Sequence, residues 1–397
     1  MTEYKILGQS ANDGNEENLY SVPSGSATVV RAINVTNTSS TADTFDIAIN
    51  DSAFVPVATP TYVVLARNST QYSFSTDNIV WTTKTLPLSN YWYASTYGND
   101  TFVAVAYGSQ VSTTSTDGIT WIQGQMPVSA IWRSITHGNG IFVSAAYNSQ
   151  YSATTTDGIT WTQGTMPISR PWEAVTYGNG TFVAVSVTYG TVASSTDGVT
   201  WTGSSTPQSR NWTTVAYGNG TFVTVAKNSQ AAATSTDGIT WTMATYPVNA
   251  GTVRMTFGNG TFVAMSYNAY TTAQTSTDGV TWIQRTLPPG GSWNAVTYGN
   301  GMFVAVGYNT QYYASSTDAI TWTQGTISMS NKWTTVSIGN PDISPAIPSE
   351  DYLFKSHDIL GNETITIKGG YTMEENNTLR IKSTNGASTF HAFGGEI

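Results

Sequence analysis

The chain has 397 residues, among them 36 Gly, 22 Tyr, 13 Trp and no Cys, which excludes disulfides and thiolate-bound zinc or iron–sulfur clusters. The three histidines, His137, His357 and His391, have no metal-ligand spacing, so no metal and no cofactor are expected. The formal charge is −9, yet residues 60–340 carry nine Lys/Arg and nine Asp/Glu. The excess acid therefore lies in the flanks, and neither part has the basic patch that nucleic-acid binding needs.

Aromatic and β-branched residues are plentiful and no segment sustains a 3.6-residue apolar period, so an all-β chain with almost no helix is expected. No apolar run approaches a membrane span, and the polar, acidic start reads as no secretory signal. Taken in order, residues 1–57 offer short strands at 4–9, 18–22 (stopped by Pro23), 27–37 and 43–50. The last alternates Phe45, Ile47 and Ile49 against Thr44, Asp46 and Ala48. So small a sheet with one apolar face needs a partner layer.

From residue 58 to 345 the chain repeats. Ser115-Thr116-Asp117-Gly118-Ile119-Thr120-Trp121 returns with small changes. Its aspartates fall at Asp77, Asp117, Asp157, Asp197, Asp237, Asp278 and Asp318. Its tryptophans fall at Trp81, Trp121, Trp161, Trp201, Trp241, Trp282 and Trp322, a step of 40 residues, once 41. In one full unit, residues 212–217 read as strand A, Gly218-Asn219-Gly220 as a type I′ hairpin turn, 221–226 as strand B, 230–235 as strand C and 239–242 as strand D. Four antiparallel strands in 40 residues is the size of a propeller blade. Complete units begin at Trp92, Trp132, Trp172, Trp212, near Val253 and at Trp293. The first repeat lacks strand A and the last, 333–338, is strand A alone. Joined, they make a seventh blade that closes a ring and removes open sheet edges. Both flanks then meet the ring on the face of the A–B turns. Residues 346–397 supply four more strand candidates, at 352–355, 364–368, 378–383 and 388–397. The simplest assembly is one split β-sandwich made of 1–57 and 346–397, with a seven-bladed β-propeller inserted in it. The tryptophans of strand A, Trp92, Trp132, Trp172, Trp212, Trp293 and Trp333, read as core.

In the repeated motif, Asp and Ser/Thr can bond backbone amides and Gly supplies the left-handed position. The motif resembles the Asp-box of the BNR propellers, as in sialidases and photosystem-assembly propellers, whose pattern is Ser-x-Asp-x-Gly-x-Thr-Trp. It is one residue shorter here between Asp and Trp, and Asn78 and Ala319 replace Gly in the first and last copies. The resemblance implies the propeller fold and a structural role for the aspartates and tryptophans. A sialidase would also have three arginines, a Tyr paired with a Glu, and an acid Asp. Glu173 is the only Glu between residues 60 and 340, and Asp100, in a hairpin turn, is the only Asp outside the boxes. The acids are therefore expected to be missing where the strands converge, and the chain is read as no enzyme, with a sialidase-like glycan hydrolase as the lesser alternative.

The flanks carry a second resemblance. Tyr4-Lys5-Ile6-Leu7-Gly8-Gln9, Leu19-Tyr20-Ser21-Val22-Pro23-Ser24-Gly25, Val35-Thr36-Asn37 and the closing Phe390-His391-Ala392-Phe393-Gly394-Gly395-Glu396-Ile397 look like small β-sandwich virion proteins of tailed cyanophages and related marine phages. This implies a virion structural protein, assembled in the bacterial cytoplasm, whose sandwich anchors it among other virion proteins of head or tail. The propeller would touch a glycan or protein of the host surface, or other virion proteins. A homo-oligomer stays open; nucleic acid and membrane are not expected partners. The B–C and D–A loops share the outward face. The binding residues expected there are Tyr107, Tyr147, Tyr189, Tyr267, Tyr270, Tyr308 and Tyr312, with Arg170 and Arg210. Each Tyr can equally cover a seam between blades.

Overall fold

The structure is a computed structural model. It describes residues 61–251, 253–266 and 271–339 and, in the flanks, the backbone of 5–11, 17–21, 28–37, 43–51, 352–359, 364–373, 377–383 and 388–396. Among these residues there is no helix. The chain divides into two compact units, Met1–Ala58 with Asp342–Ile397, and Thr59–Pro341.

The flanking unit consists of two four-stranded antiparallel sheets. One orders Lys5–Ala11, Ser388–Glu396, Thr28–Asn37 and Thr364–Met373. The other orders Glu17–Ser21, Asn377–Ser383, Asp43–Asp51 and Tyr352–Ile359. In both, strands from the two ends of the chain alternate. Neither end makes a sheet alone, as befits pieces too short to bury an apolar face.

In the central unit, Trp212–Gly218, Thr221–Ala226, Ser229–Ser235 and Thr242–Ala250 form one antiparallel sheet. Asn219 and Gly220 turn the first hairpin at φ 48° and 75°, the left-handed pair a type I′ turn demands. The fourth strand starts at Thr242 rather than at Ile239 as expected. The reason is local: Asp237 Oδ1 accepts the amides of Ile239 and Thr240, each at 2.8 Å, so these cannot join the ladder.

In several other repeats the B–C and D–A connections are themselves extended. Thr61–Ser75 runs through B and C, and Thr82–Gly98 through D and A. Their middles pair as Arg67↔Tyr91 and Ser69↔Asn90. Such strands pair with one neighbour along the first half and with another along the second. The hydrogen-bonded ladder therefore passes from repeat to repeat, giving a 12-stranded order from Thr202–Ser205 to Trp293–Gly299 instead of separate four-stranded sheets throughout. The last inner strand returns to the first repeat, with Trp333 opposite Ala66 and Gly339 opposite Thr61. The inner strands pack in cyclic order and the segment Thr323–Gly339 touches Thr82–Gly98.

Apolar side chains fill the seams between repeats, as where Val183, Val185 and Val192 meet Trp212, Phe222 and Trp241. The strand-A tryptophans are fully buried, in agreement with the core expected of them. Seam spacing depends on the glycine that ends each inner strand. A Cβ on Gly218 would lie 2.1 Å from the Phe257 ring of the next repeat, and one on Gly339 would lie 2.2 Å from Phe102, back in the first full repeat.

The repeated turn is a local hydrogen-bond network. Ser235 donates its hydroxyl to Asp237, and Gly238 donates its amide to Ser235 Oγ. Position 238 and its equivalents are left-handed even where Gly is absent, with Asn78 at φ 56° and Ala319 at φ 60°. The following indole reaches further: Trp161 Nε1 donates to Ser112 Oγ of the preceding repeat at 2.9 Å and to Gly158 O at 3.1 Å. The seven aspartates thus pin their turns, and the indoles of Trp161 and Trp201 hydrogen-bond theirs to the preceding repeat.

This turn can be tested in two ways. Asp237→Ala removes the acceptor of two amides and should destabilise the central unit by about 1 kcal/mol, with Asp237→Asn milder, read from urea midpoints. The second test concerns pH. The amides of Ile239 and Thr240 hold the Asp237 carboxyl down at about 2, and those of Thr321 and Ile320 do the same for Asp318. The other five aspartates are also depressed. A carboxyl whose folded pKa lies below its unfolded value stabilises the fold fully above the unfolded value, near 4, and loses that contribution as pH falls through the folded one. The melting temperature should therefore fall between about pH 4 and pH 2, with a shallower slope in Asp237→Asn.

Candidate functional site

Strand A runs from its buried tryptophan to the glycine of the hairpin, so its two ends lie at opposite faces of the central unit. At the tryptophan end, the residue immediately after it points to the middle of the ring. Successive repeats place Tyr93, Arg133, Glu173, Thr213, Asn294 and Thr334 at this position, and the one repeat with Val253 in place of the tryptophan places Arg254 there. The residue type at this position changes from aromatic to basic, acidic and neutral polar between repeats.

Glu173 is the focus. Its side chain is 5 % exposed and accepts from Arg133 Nη1 at 2.6 Å, with Arg254 Nη1 at 3.6 Å. Arg254 also donates through Nη2 to the Tyr93 hydroxyl at 3.2 Å. Neither Glu173 nor Tyr93 belongs to a strand adjacent to that of Arg254, so this side chain reaches across the axis. Tyrosine rings surround the cations. The guanidinium carbon of Arg133 lies 3.7 Å from the Tyr147 centroid and 5.5 Å from those of Tyr93 and Tyr107. That of Arg67 lies 4.5 Å from Tyr91 and 5.8 Å from Tyr308. Tyr91 stacks on Tyr107 at 5.0 Å between centroids. Burial works against charge on Arg133 and Arg254. The negative charge of Glu173 outweighs it for Arg133, and Tyr93 with Glu173 for Arg254, so both pKa values rise and both side chains stay charged. Burial pushes the Tyr91 phenol up despite nearby Arg67, so it stays protonated. Beside this network opens a cavity of about 250 Å³ lined by Arg67, Tyr91, Tyr93, Arg254, Asn294, Tyr308 and Thr334.

The expected binding residues divide. Tyr107, Tyr147 and Tyr308 gather at this centre. Tyr189 stands apart, 70 % exposed, with the Arg170 guanidinium 5.2 Å from its ring. Tyr312 packs into an inter-repeat core with Val263 and Trp293, the seam role foreseen as its alternative. Arg210 is exposed, donates to Ser209 O and borders a second, shallow depression with Gln208 and Gln230. Tyr267 and Tyr270 lie outside the described residues. Reasoning from loops overlooked the strand positions Tyr93, Arg133, Glu173, Arg254, Asn294 and Thr334, and also Tyr91 and Arg67. Aligning the residue after each strand-A tryptophan would have found five of the first six; Arg254 escapes because Val253 stands in place of the tryptophan in its repeat.

One expectation is corrected outright. An acid does sit where the strands converge, because Glu173 occupies the inward position of its strand. Its two arginine neighbours offset the desolvation that would otherwise exclude a buried carboxylate. Asp100 is in the hairpin turn at φ 53°, at the other end of the strands, and so cannot pair with Glu173 across a cleft. Among the described residues no cluster of His, Asp and Glu could hold a metal ion. Three guanidiniums against one carboxylate leave the site with a net positive charge.

No protein-family model matches the chain, and no curated protein matches it. Solved structures do. Selenomethionine-substituted virginiamycin B lyase from Staphylococcus aureus superposes with a TM-score of 0.55 at 12 % identity, covering 66 % of this chain and 96 % of the lyase. A streptogramin B lyase gives 0.55 at 9 % identity, over 85 % and 98 % of the two chains. YCF48 bound to a D1 peptide gives 0.51 at 15 % identity, over 69 % and 91 %. The lyases correct the reading of this chain as no enzyme. That reading rested on a missing carboxylate pair, which a conventional glycosidase needs but other chemistry on this architecture does not. At these identities, what the chain shares with its structural neighbours is the β-propeller fold.

Proposed function

We propose that the chain is a virion structural protein of a tailed phage. In this reading a β-sandwich built by both flanks anchors it in head or tail, and an inserted seven-bladed propeller of Asp-box-like repeats meets a glycan or protein of the host surface. The observation that carries the adhesive role is the cluster of Tyr91, Tyr93, Tyr107, Tyr147 and Tyr308 around three arginines at one end of the ring. Thr61 and Gly339, where the repeats begin and end, pair at the hairpin end of the strands, away from the aromatic cluster. Planar aromatic rings with fixed polar neighbours are the surfaces that bind sugars and proteins with little loss of side-chain entropy. The cyclic packing of the inner strands supports the count of seven blades.

The test is adsorption. The full-length soluble chain should compete with intact particles for host cells, and Tyr107→Ala with Tyr147→Ala should remove that competition while leaving the melting temperature within a few degrees. Absence of competition by the folded wild-type chain would sink the adhesive role. A second reading, a propeller that binds other virion proteins, is favoured by one feature. The aliphatic residue of the repeated turn is exposed at Ile79, Ile119, Ile159, Ile239, Val280 and Ile320, a rim of apolar side chains. Electron cryo-microscopy of the particle decides between the two by which end of the propeller is free.

A further inference from the structure

We infer that the loop face of the central unit docks on a flexible phosphodiester polymer of the kind that coats bacterial cells, through dispersed surface charge and not through the cavity. The inference rests on the tyrosine-rich end being a binding face. Charge is segregated along the strands. Asn219 Nδ2 donates to Gly260 O at 3.0 Å and to Thr277 O at 2.9 Å, so the A–B hairpins and the repeated turns share one end. The seven turn aspartates and Asp100 lie there, eight of the nine acids of residues 60–340, with no base among them. Seven of the nine bases lie at the opposite end, where Glu173 is the only acid. Lys84 and Arg285 stand midway, on outer strands. The unit is neutral in sum, yet it carries −8 at the hairpin end and +6 at the loop end.

The two ends act independently. The strand Thr221–Ala226 has 6 residues, so they are about 20 Å apart. Charge is screened over about 8 Å at physiological salt. A body approaching the loop end therefore meets positive charge, although the whole chain carries −9. Arg133 and Arg254 answer Glu173, and Arg67 is stacked on Tyr91. The cations left for a partner are Arg170, Arg210, Lys227 and Lys332. Each lies where a B–C connection meets a D–A connection. Arg170 stands opposite Ser149 and Lys332 opposite Tyr308, Lys227 donates its amide to Asn211 O, and Arg210 O accepts from Gly190. Arg170 is half-buried and the other three are exposed. Among the described residues, none of the four pairs with a carboxylate.

Their chemistry selects the anion. Two are ammonium groups, which act as point charges. Arg170 and Arg210 each turn Nη1 to the carbonyl of the preceding residue, at 3.3 Å and 3.1 Å. Their forks are therefore not free for the paired bonds that favour a carboxylate. Single donors suit the two non-ester oxygens of a phosphodiester. The four cations belong to different connections of the ring, so a flexible chain can reach them in turn. Duplex DNA, stiff over about 150 base pairs, meets only those on one line.

The experiment is titration of the full-length chain with polyglycerol phosphate, against polygalacturonate, dextran and duplex DNA. Polyglycerol phosphate should bind most tightly, and its affinity should fall about tenfold or more between about 50 and 200 mM salt. Lys227→Gln and Lys332→Gln should each weaken it by about two- to fivefold, and together make the salt dependence shallower. Lys84→Gln removes the same charge from the outer wall and should change nothing. Melting curves verify that the variants fold. Four results overturn the inference: polyglycerol phosphate does not bind, its binding ignores salt, another polymer binds as tightly, or Lys84→Gln weakens binding as much as Lys227→Gln. The adhesive role is judged separately. Polymer binding without any competition for host cells would remove that role and leave the docking face. Competition that survives in the Lys227→Gln, Lys332→Gln double variant, with no polymer bound by either protein, would do the reverse.

Discussion

Glu173→Ala is expected to destabilise the propeller by about 2–3 kcal/mol, although it truncates only one side chain in a chain of 397 residues. The carboxylate is buried and is the only negative charge within reach of Arg133 and Arg254 among the described residues. Its loss leaves two guanidiniums facing each other across the axis. Removing one member of a fully buried pair costs about 3–5 kcal/mol. The lower figure is used here because the arginine side chains are 21 % and 26 % exposed and partly screened by solvent. Glu173→Gln keeps an acceptor and should cost about 1–2 kcal/mol. Two further readouts separate repulsion from simple loss of packing. Added salt should restore part of the loss by screening the arginines. Arg133→Met should be less harmful in the Glu173→Ala background than alone, because the charge it removes has become unpaired. Urea midpoints that do not move in Glu173→Ala would mean that the pair contributes nothing.

The second large effect is expected at a seam. Gly218→Ala adds one methyl group, in extended backbone that any residue adopts, yet it should cost about 3 kcal/mol. The new Cβ would stand 2.1 Å from the Phe257 ring, and the ring is itself backed by Phe262 at 4.7 Å between centroids. Gly220→Ala, two residues along, is the control. Nothing lies within 4 Å of its Cβ, so it bears only the left-handed strain at φ 75°, about 1 kcal/mol. In a Phe257→Ala background the extra cost of Gly218→Ala should largely vanish, because the space is then empty. An equal cost for Gly218→Ala with and without Phe257 would show that the seam contact is not its cause. Gly339→Ala makes the same test at the point where the last strand meets the first repeat.

Much of this fold can be read from the chain itself. The period of the box fixes the repeat, and the Asn-Gly pairs fix the hairpins. The partial repeats at 62–81 and 333–338 complement each other, so the pairing of Trp333 with Ala66 follows from the repeat alone. These features are local or strictly periodic, which is why a single sequence carries them. Where local chemistry competes, reading by strand propensity fails. Ile239 and Thr240 have β propensity, but their amides are taken by Asp237, so the strand begins later.

The binding centre is of the other kind. Tyr107, Tyr147 and Tyr308 are visible as loop aromatics, but Arg67, Arg133, Glu173 and Arg254 each look like an isolated charge in its own repeat. Glu173 and Arg254 are 81 positions apart in the numbering and 3.6 Å apart in space. By itself the sequence determined the repeat, its turns and its core tryptophans, because hydrogen bonds between near neighbours and a fixed period encode them. Only the tertiary structure decided that these charges meet, because closing the ring brings side chains from distant repeats to one axis, where burial makes every unpaired charge count.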